Sequence, residues 1–251
     1  MSLNFPFPRD VMKRILATEN PYIVAKLYKT CKYFPAKFNL ILVDSLRHTF
    51  RQDVISHEDK ATNVNPENVD SFQNLWVIHR FISVTNDPRL SSWISNISRC
   101  TIYYLEIRAR HLTMNEFEIL TNSGNIEHIE INKVYYDNFT TVPLEILVSR
   151  IPKASFIAVD YTHVTPSTMK ILAESTHETK ITNMSLRNID DIMDDEDYYQ
   201  FMRKYAEREA QFFVQYEGIP EEYAQKFGTS VKFKNFISKD ANPKPHFSYS
   251  L

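Results

Sequence analysis

Six short stretches alternate apolar and polar residues along the C-terminal two-thirds of the chain: 76–82, 103–107, 126–131, 156–160, 181–186 and 212–216. A period of two predicts strands buried on one side. Aligned on Ile78, Ile107, Ile131, Val159, Leu186 and Val214, they recur at intervals of 29, 24, 28, 27 and 28 residues. The segments between them carry apolar residues at helical spacing. Leu90, Ile94 and Ile97 follow Asp87-Pro88; Leu144, Leu147 and Val148 follow Val142-Pro143; Met169, Leu172 and Ala173 follow Thr165-Pro166. Thr113-Met114-Asn115-Glu116 is a capping box ahead of Phe117 and Leu120, in which each end residue satisfies a free amide of the other. A longer helix is expected from about Asp195, through Phe201 and Tyr205. Alternating strand and helix implies parallel strands joined by right-handed crossovers, an α/β fold.

The first thirty-odd residues follow a different pattern. Val11, Ile15 and Leu16 mark one helical segment, which breaks at Asn20-Pro21, an N-cap followed by proline at the first helical position. Ile23, Leu27 and Cys31 then stand at i, i+4 and i+8 of a second helix. This hairpin has more apolar surface than so short a segment can bury alone. Residues 56–71 contain little to bury and carry Asn65-Pro66, so an exposed linker or long loop is expected. Residues 218–236 predict one more helix and a closing strand at 231–236, and the last stretch holds two prolines and is expected to be loose. The resulting division is 1–50 helical, 51–75 linker, 76–236 α/β, 237–251 tail.

Composition narrows the chemistry. The 251 residues are 43% hydrophobic and 24% charged, enough for a sizeable core. No leader pattern and no apolar run near membrane-spanning length is visible, so no membrane association is expected, and the expected location is cytoplasmic or nuclear. Cys31 and Cys100 are too few and too far apart for a disulfide framework or metal site. Three glycines, and no GxGxxG or GxxxxGK[ST] motif, argue against backbone loops that cradle phosphates. No GxSxG, HExxH or CxxC motif occurs, and the eight histidines are dispersed. Neither a catalytic set nor a metal or cofactor is therefore expected, and the chain is read as a non-enzyme. The acidic run Asp190 to Asp197 lacks the central Gly and terminal Glu of a calcium loop and is better placed to cap the following helix. Residues 1–55 hold nine Lys/Arg against four Asp/Glu, leaving −7 in the remainder of a chain whose net charge is −2. The basic residues are scattered among apolar anchors and do not form a stripe, so a protein partner is expected here and not nucleic acid.

Phe7-Pro8-Arg9-Asp10-Val11, then Ile15-Leu16, Leu27 and Thr30-Cys31-Lys32-Tyr33-Phe34 resemble the motif of the F-box family, with Phe7 where the family commonly has Leu. The resemblance implies that Phe7, Pro8, Val11, Ile15, Leu16, Ile23, Leu27 and Cys31 dock on a Skp-type adaptor and through it on a cullin. The spacing of the α/β part is similar to an irregular leucine-rich-repeat-like solenoid, as in the target-binding parts of many F-box proteins, although the regular Asn and Leu ladder is absent. A single α/β layer with fortuitous spacing is the alternative.

If Ile107, Ile131, Val159, Leu186 and Val214 point inward, Glu106, Glu130, Ala158, Ser185 and Phe213 form one outward row. Arg108, Asn132, Asp160, Arg187 and Gln215 form the next. Glu106, Arg108, Glu130, Asn132, Asp160, Arg187 and Phe213 are then the expected contacts to an unknown protein target. Together these features suggest the substrate receptor of an SCF-type cullin-RING ubiquitin ligase. The alternative is a stand-alone solenoid interaction module whose N-terminal helices merely cap the array.

Overall fold

The computed structural model describes residues 8, 11, 14, 21–30, 39–57, 60–237 and 246–250. Within them the chain is a mixed α/β fold built on one large, mostly parallel sheet. The strands are β1 (Ile41–His48), β2 (Asp53–His57), β3 (Lys60–Val64), β4 (Leu75–Ser83), β5 (Ile97–Cys100), β6 (Tyr104–Ile107), β7 (Leu112–Thr113), β8 (His128–Ile131), β9 (Val134–Tyr135), β10 (Phe156–Asp160), β11 (Ile181–Ile189), β12 (Ala206–Tyr216) and β13 (His246–Ser250). The helices are α1 (Pro21–Thr30), α2 (Arg89–Ser95), α3 (Met114–Thr121), α4 (Leu144–Ser149), α5 (Thr168–Glu174), α6 (Asp195–Tyr205) and α7 (Glu221–Ile237).

From β4 the strands add in chain order, β6, β8, β10, β11, β12 and β13, every pair parallel. The short β5 pairs with the first half of β4 and β6 with the second, so residues 97–107 act as one interrupted neighbour. On the other side of β4 lie β1, parallel, then β2 and β3, antiparallel. β7 and β9 form a separate two-stranded ribbon. Among the described residues no helix is long and apolar enough to cross a membrane.

Strands added always on the same side, with right-handed crossovers, bring every connecting helix to one face. That face is the core. Ile107, Ile131, Val159, Leu186 and Val214 are cross-strand partners and all nearly inaccessible. Leu90 and Trp93 of α2, Phe117 and Leu120 of α3, Leu147 of α4, Leu172 of α5 and Phe201 of α6 pack into the same cluster. The helix starts follow local chemistry. Thr113 Oγ1 accepts from Glu116 N (3.1 Å), while Glu116 Oε2 accepts from Thr113 N (2.9 Å), closing the expected capping box. Asp194 caps α6 by accepting from the amides of Glu196 and Asp197, both at 2.9 Å, as the acidic run predicts.

Several expectations need correction. The supposed linker at 51–75 contains the β2–β3 hairpin and a 3-10 turn over Pro66–Ser71. β3 lies at the sheet edge and exposes four of its five residues, so ladder hydrogen bonds hold it and no apolar alternation betrays it. Residues 41–48, assigned to the N-terminal helical unit, are β1 of the main sheet. Ile107 faces Ser83 and not Ile78, making the first interval 24. β4 is buried on both sides at its start, where an apolar residue no longer marks the inward face. The predicted strand at 231–236 is the last part of α7, where Ala224, Phe227 and Val231 give a buried helical stripe. The closing strand is β13, inside the expected tail, with Phe247 packed against Tyr198 and Phe227.

The hairpin also carries a buried ionic cluster. Asp53 Oδ1 meets His48 Nδ1 at 2.7 Å, and Asp53 Oδ2 accepts from Trp93 Nε1 (2.9 Å) and Arg89 Nη1 (3.3 Å). Both Asp53 and His48 are fully buried. A carboxylate without water survives only with such donors on both oxygens.

Candidate functional site

Among the described residues, Tyr28 is the buried contact of the N-terminal arm with the sheet. Tyr28 is buried, with its ring edge-on to Trp76 at 6.1 Å and its hydroxyl hydrogen-bonded to the Leu40 carbonyl (2.9 Å) and amide (2.7 Å). Lys29 and Asp44 add a 3.7 Å ion pair. Trp76 lies outside the helix-covered core, so α1 sits against the opposite face of the sheet. Five residues along a helix turn about 140° at 3.6 residues per turn. Ile23 accordingly lies on the other side of α1 from Tyr28 and is 50% exposed. Val11 is 38% exposed and Pro8 is exposed, while Leu27 is half-buried. Phe7, Ile15, Leu16 and Cys31 lie outside the described residues.

Beyond the arm, the outer face of the sheet carries side chains in register. Ile82, Glu106, Glu130, Ala158, Ser185, Phe213 and Ser248 form one cross-strand row. Of the expected contacts, Glu106, Glu130 and Arg108 are already committed to each other. Arg108 Nε lies 2.9 Å from Glu106 Oε1 and 3.0 Å from Glu130 Oε1, and Tyr104 donates to Glu106 Oε2 at 2.8 Å. Glu106 is buried beneath them. Asn132 is also committed: its Nδ2 donates to the Arg108 carbonyl (3.2 Å) and its Oδ1 accepts from Lys133 N (2.8 Å). Asn132 therefore ties neighbouring chain segments together. Asp160 pairs in register with the exposed Arg187. Burial raises the Asp160 pKa above its usual value, and the Arg187 charge opposes that rise.

The row two residues earlier was missed by the outward assignment. Tyr104, His128, Phe156, Asn183, Gln211 and His246 are cross-strand partners. The His128 ring is stacked between Tyr104 (4.3 Å) and Phe156 (4.0 Å), and Arg80 stands 5.6 Å over Tyr104. Burial lowers the His128 pKa; Glu106 opposes this and Arg108 adds to it. Counting back two residues from Glu106 and Glu130 would have found this row. His246 could not be found that way, because its strand has no upstream alternation.

At the β10–β13 end the two rows enclose a groove of about 630 Å³. Phe156, Ser185, Arg187 and Phe213 line it with Asn183, Gln211, His246 and Ser248. Ser185 Oγ is buried and has no hydrogen-bond partner among the described residues, nor has His128 Nε2. Buried hydroxyls are ordinarily paired, but Ser83 Oγ and the Tyr198 hydroxyl in the core also lack partners among the described residues, so the groove is marked by its exposed guanidinium and rings and not by the lone hydroxyl. The groove combines aromatic rings, several amide and hydroxyl groups, the Arg187 guanidinium and the Glu130 carboxylate, a combination that suits a polypeptide segment. Ser185, Ser248, His246 and Glu130 all line it, but among the described residues no hydrogen bond links a serine to the imidazole or the imidazole to the carboxylate, and no group of three metal-ligating side chains occurs. Compared with known protein families, curated proteins and solved structures, the chain has no match.

Proposed function

We propose that this chain is the substrate-receptor subunit of an SCF-type cullin-RING ubiquitin ligase, non-catalytic in itself and acting in the cytoplasm or nucleus. In this reading the arm binds a Skp-type adaptor through Phe7, Pro8, Val11, Ile15, Leu16, Ile23, Leu27 and Cys31. The outer sheet face holds a protein target through Arg187, Phe213 and the stacked row beside them. The strand spacing of 24–28 residues and the unbroken strand order support a leucine-rich-repeat-like solenoid for that part. The observation that carries the reading is the division of labour on α1. Tyr28 seats the helix on the sheet while Ile23, on its other side, keeps apolar surface in solvent, as does Val11 in the segment before it. A helix-in-groove interface needs that arrangement, with a few apolar anchors carrying most of the affinity. Bringing the target near the ubiquitin-carrying enzyme raises its effective concentration.

The second reading is a stand-alone solenoid module in which the arm caps the array. The burial of Trp76 beside Tyr28 favours it. Co-purification with a Skp-type adaptor separates the two. The natural chain should form a stable complex, and a Leu16→Glu, Ile23→Glu variant should lose it by about 100-fold or more, because a charge buried in an apolar interface costs several kcal/mol. A folded natural chain that fails to bind the adaptor ends the ligase reading and leaves the cap.

A further inference from the structure

A cleft of about 490 Å³ opens where the chain leaves the carboxyl ends of β4, β6 and β8, lined by Asn86, Arg110, His111, Lys133, Tyr135 and Phe139. Ligands of parallel sheets gather at this edge, because its loops vary without disturbing the strands. The cleft shares no residue with the groove at Ser185. Its charge is one-sided: two cations and an imidazole line it, and no carboxylate does. Arg110 Nη2 donates to Ser91 Oγ (2.6 Å) and to Glu116 Oε1 (3.3 Å), but Arg110 Nη1 is buried with no partner. A buried guanidinium N–H left unsatisfied is unfavourable, and an anion drawn against the guanidinium would satisfy it. Burial, joined by the Lys133 charge, holds the His111 pKa below its ordinary value, as expected where positive charge is in surplus.

An aromatic wall adjoins these donors. The Tyr135 and Phe139 rings stack at 5.7 Å and 18°, and Phe139 is 79% exposed. Its φ of 62° is left-handed, which is unfavourable for a residue with a Cβ. The turn nevertheless fixes it there. Asn138 Oδ1 accepts from Thr140 N (3.1 Å) and Thr140 Oγ1 (2.7 Å), and Phe139 N donates to the Tyr136 carbonyl (2.8 Å). Strain over-determined in this way, holding a large ring in water, points to a use for the ring.

We propose that this cleft binds a small anion joined to a planar ring, of the nucleoside monophosphate class, with Arg110, Lys133 and His111 on the anion and Phe139 stacked on the ring. Side chains, not backbone amides, supply the donors, so the scarcity of glycine is no obstacle. The test is calorimetric titration of the full chain with adenosine and uridine monophosphate, and with inorganic phosphate and the two nucleosides alone. At least one nucleotide should bind about tenfold or more tightly than phosphate or its own nucleoside. Phe139→Ala should reduce that nucleotide to the affinity of phosphate without changing phosphate itself. Lys133→Glu should weaken both, and circular dichroism checks that each variant is folded. No binding of either nucleotide at millimolar concentration overturns the proposal. So does a nucleotide that binds no better than phosphate, or binding that both substitutions leave intact.

Discussion

On the helix-covered face, the row Ser83, Ile107, Ile131, Val159, Leu186 and Val214 is apolar after its first member and closed to water. One residue earlier along each strand, the outer row Ile82, Glu106, Glu130, Ala158, Ser185 and Phe213 alternates charge, small residue and ring. The two faces also carry different polar groups. On the covered side, Asp53 has donors on both carboxylate oxygens, from His48, Trp93 and Arg89. On the outer side, Glu106, Glu130 and Arg108 complete one network, while Ser185 Oγ and His128 Nε2 go without partners. Unpartnered buried atoms occur on both faces, since Ser83 Oγ, His48 Nε2 and the Tyr198 hydroxyl on the covered side also lack partners among the described residues; what separates the faces is side-chain type, apolar on one and charged or polar on the other.

The largest test of that contrast is Asp53→Ala. It strips the acceptor from His48, Trp93 and Arg89 at once, and removing one partner of a buried ionic cluster costs about 3–5 kcal/mol. For a chain of this size the melting temperature should fall by about 6–20 °C, read by differential scanning calorimetry. A near-neutral result would mean that β2 does not dock as described.

A sharper comparison sets Leu186→Ala against its neighbour Ser185→Ala. Leu186 is wholly inaccessible, and truncating it should cost about 2–5 kcal/mol in urea unfolding. Ser185→Ala removes a hydroxyl with no partner and should stay within about 0.5 kcal/mol. Equal losses would show that the outer face is packed as tightly as the core.

The smallest effect concerns acid. The hydrogen bond from Arg89 is the main cause that lowers the Asp87 carboxyl from the usual carboxylate value to about 2. A folded-state pKa below the unfolded one gives stability that is present above about pH 4 and lost as pH falls toward 2. Solvent around this partly exposed pair should keep the effect under about 1 kcal/mol. The stability gap between the natural chain and Asp87→Asn should close over that window, and a gap that holds constant to pH 2.5 would remove Arg89 as the cause.

Much of the central sheet was legible because its strands alternate. Residues 156–160 were assigned as a strand and form β10 within the same limits, and Thr113 with Glu116 identified the start of α3. Lys60–Val64 was not legible, because an exposed edge strand has no apolar face to display. His246–Ser250 was hidden by the prolines before it, and Val231 to Phe236 fits either period until Ala224 and Phe227 are seen to share its buried stripe. Within the candidate site, Arg187 and Phe213 stood where register put them, whereas Asn132 proved committed to backbone.

Periodicity and capping are local properties, and they were enough to determine the strand-helix alternation, the inward row from Ile107 to Val214 and the apolar stripe on α1. Which polar groups are satisfied is a property of distant pairs. Asp53 with Trp93, Tyr28 with Trp76, and the lone hydroxyl of Ser185 were decided only by the tertiary structure, because hydrogen bonds and ring contacts join residues that the chain order keeps apart.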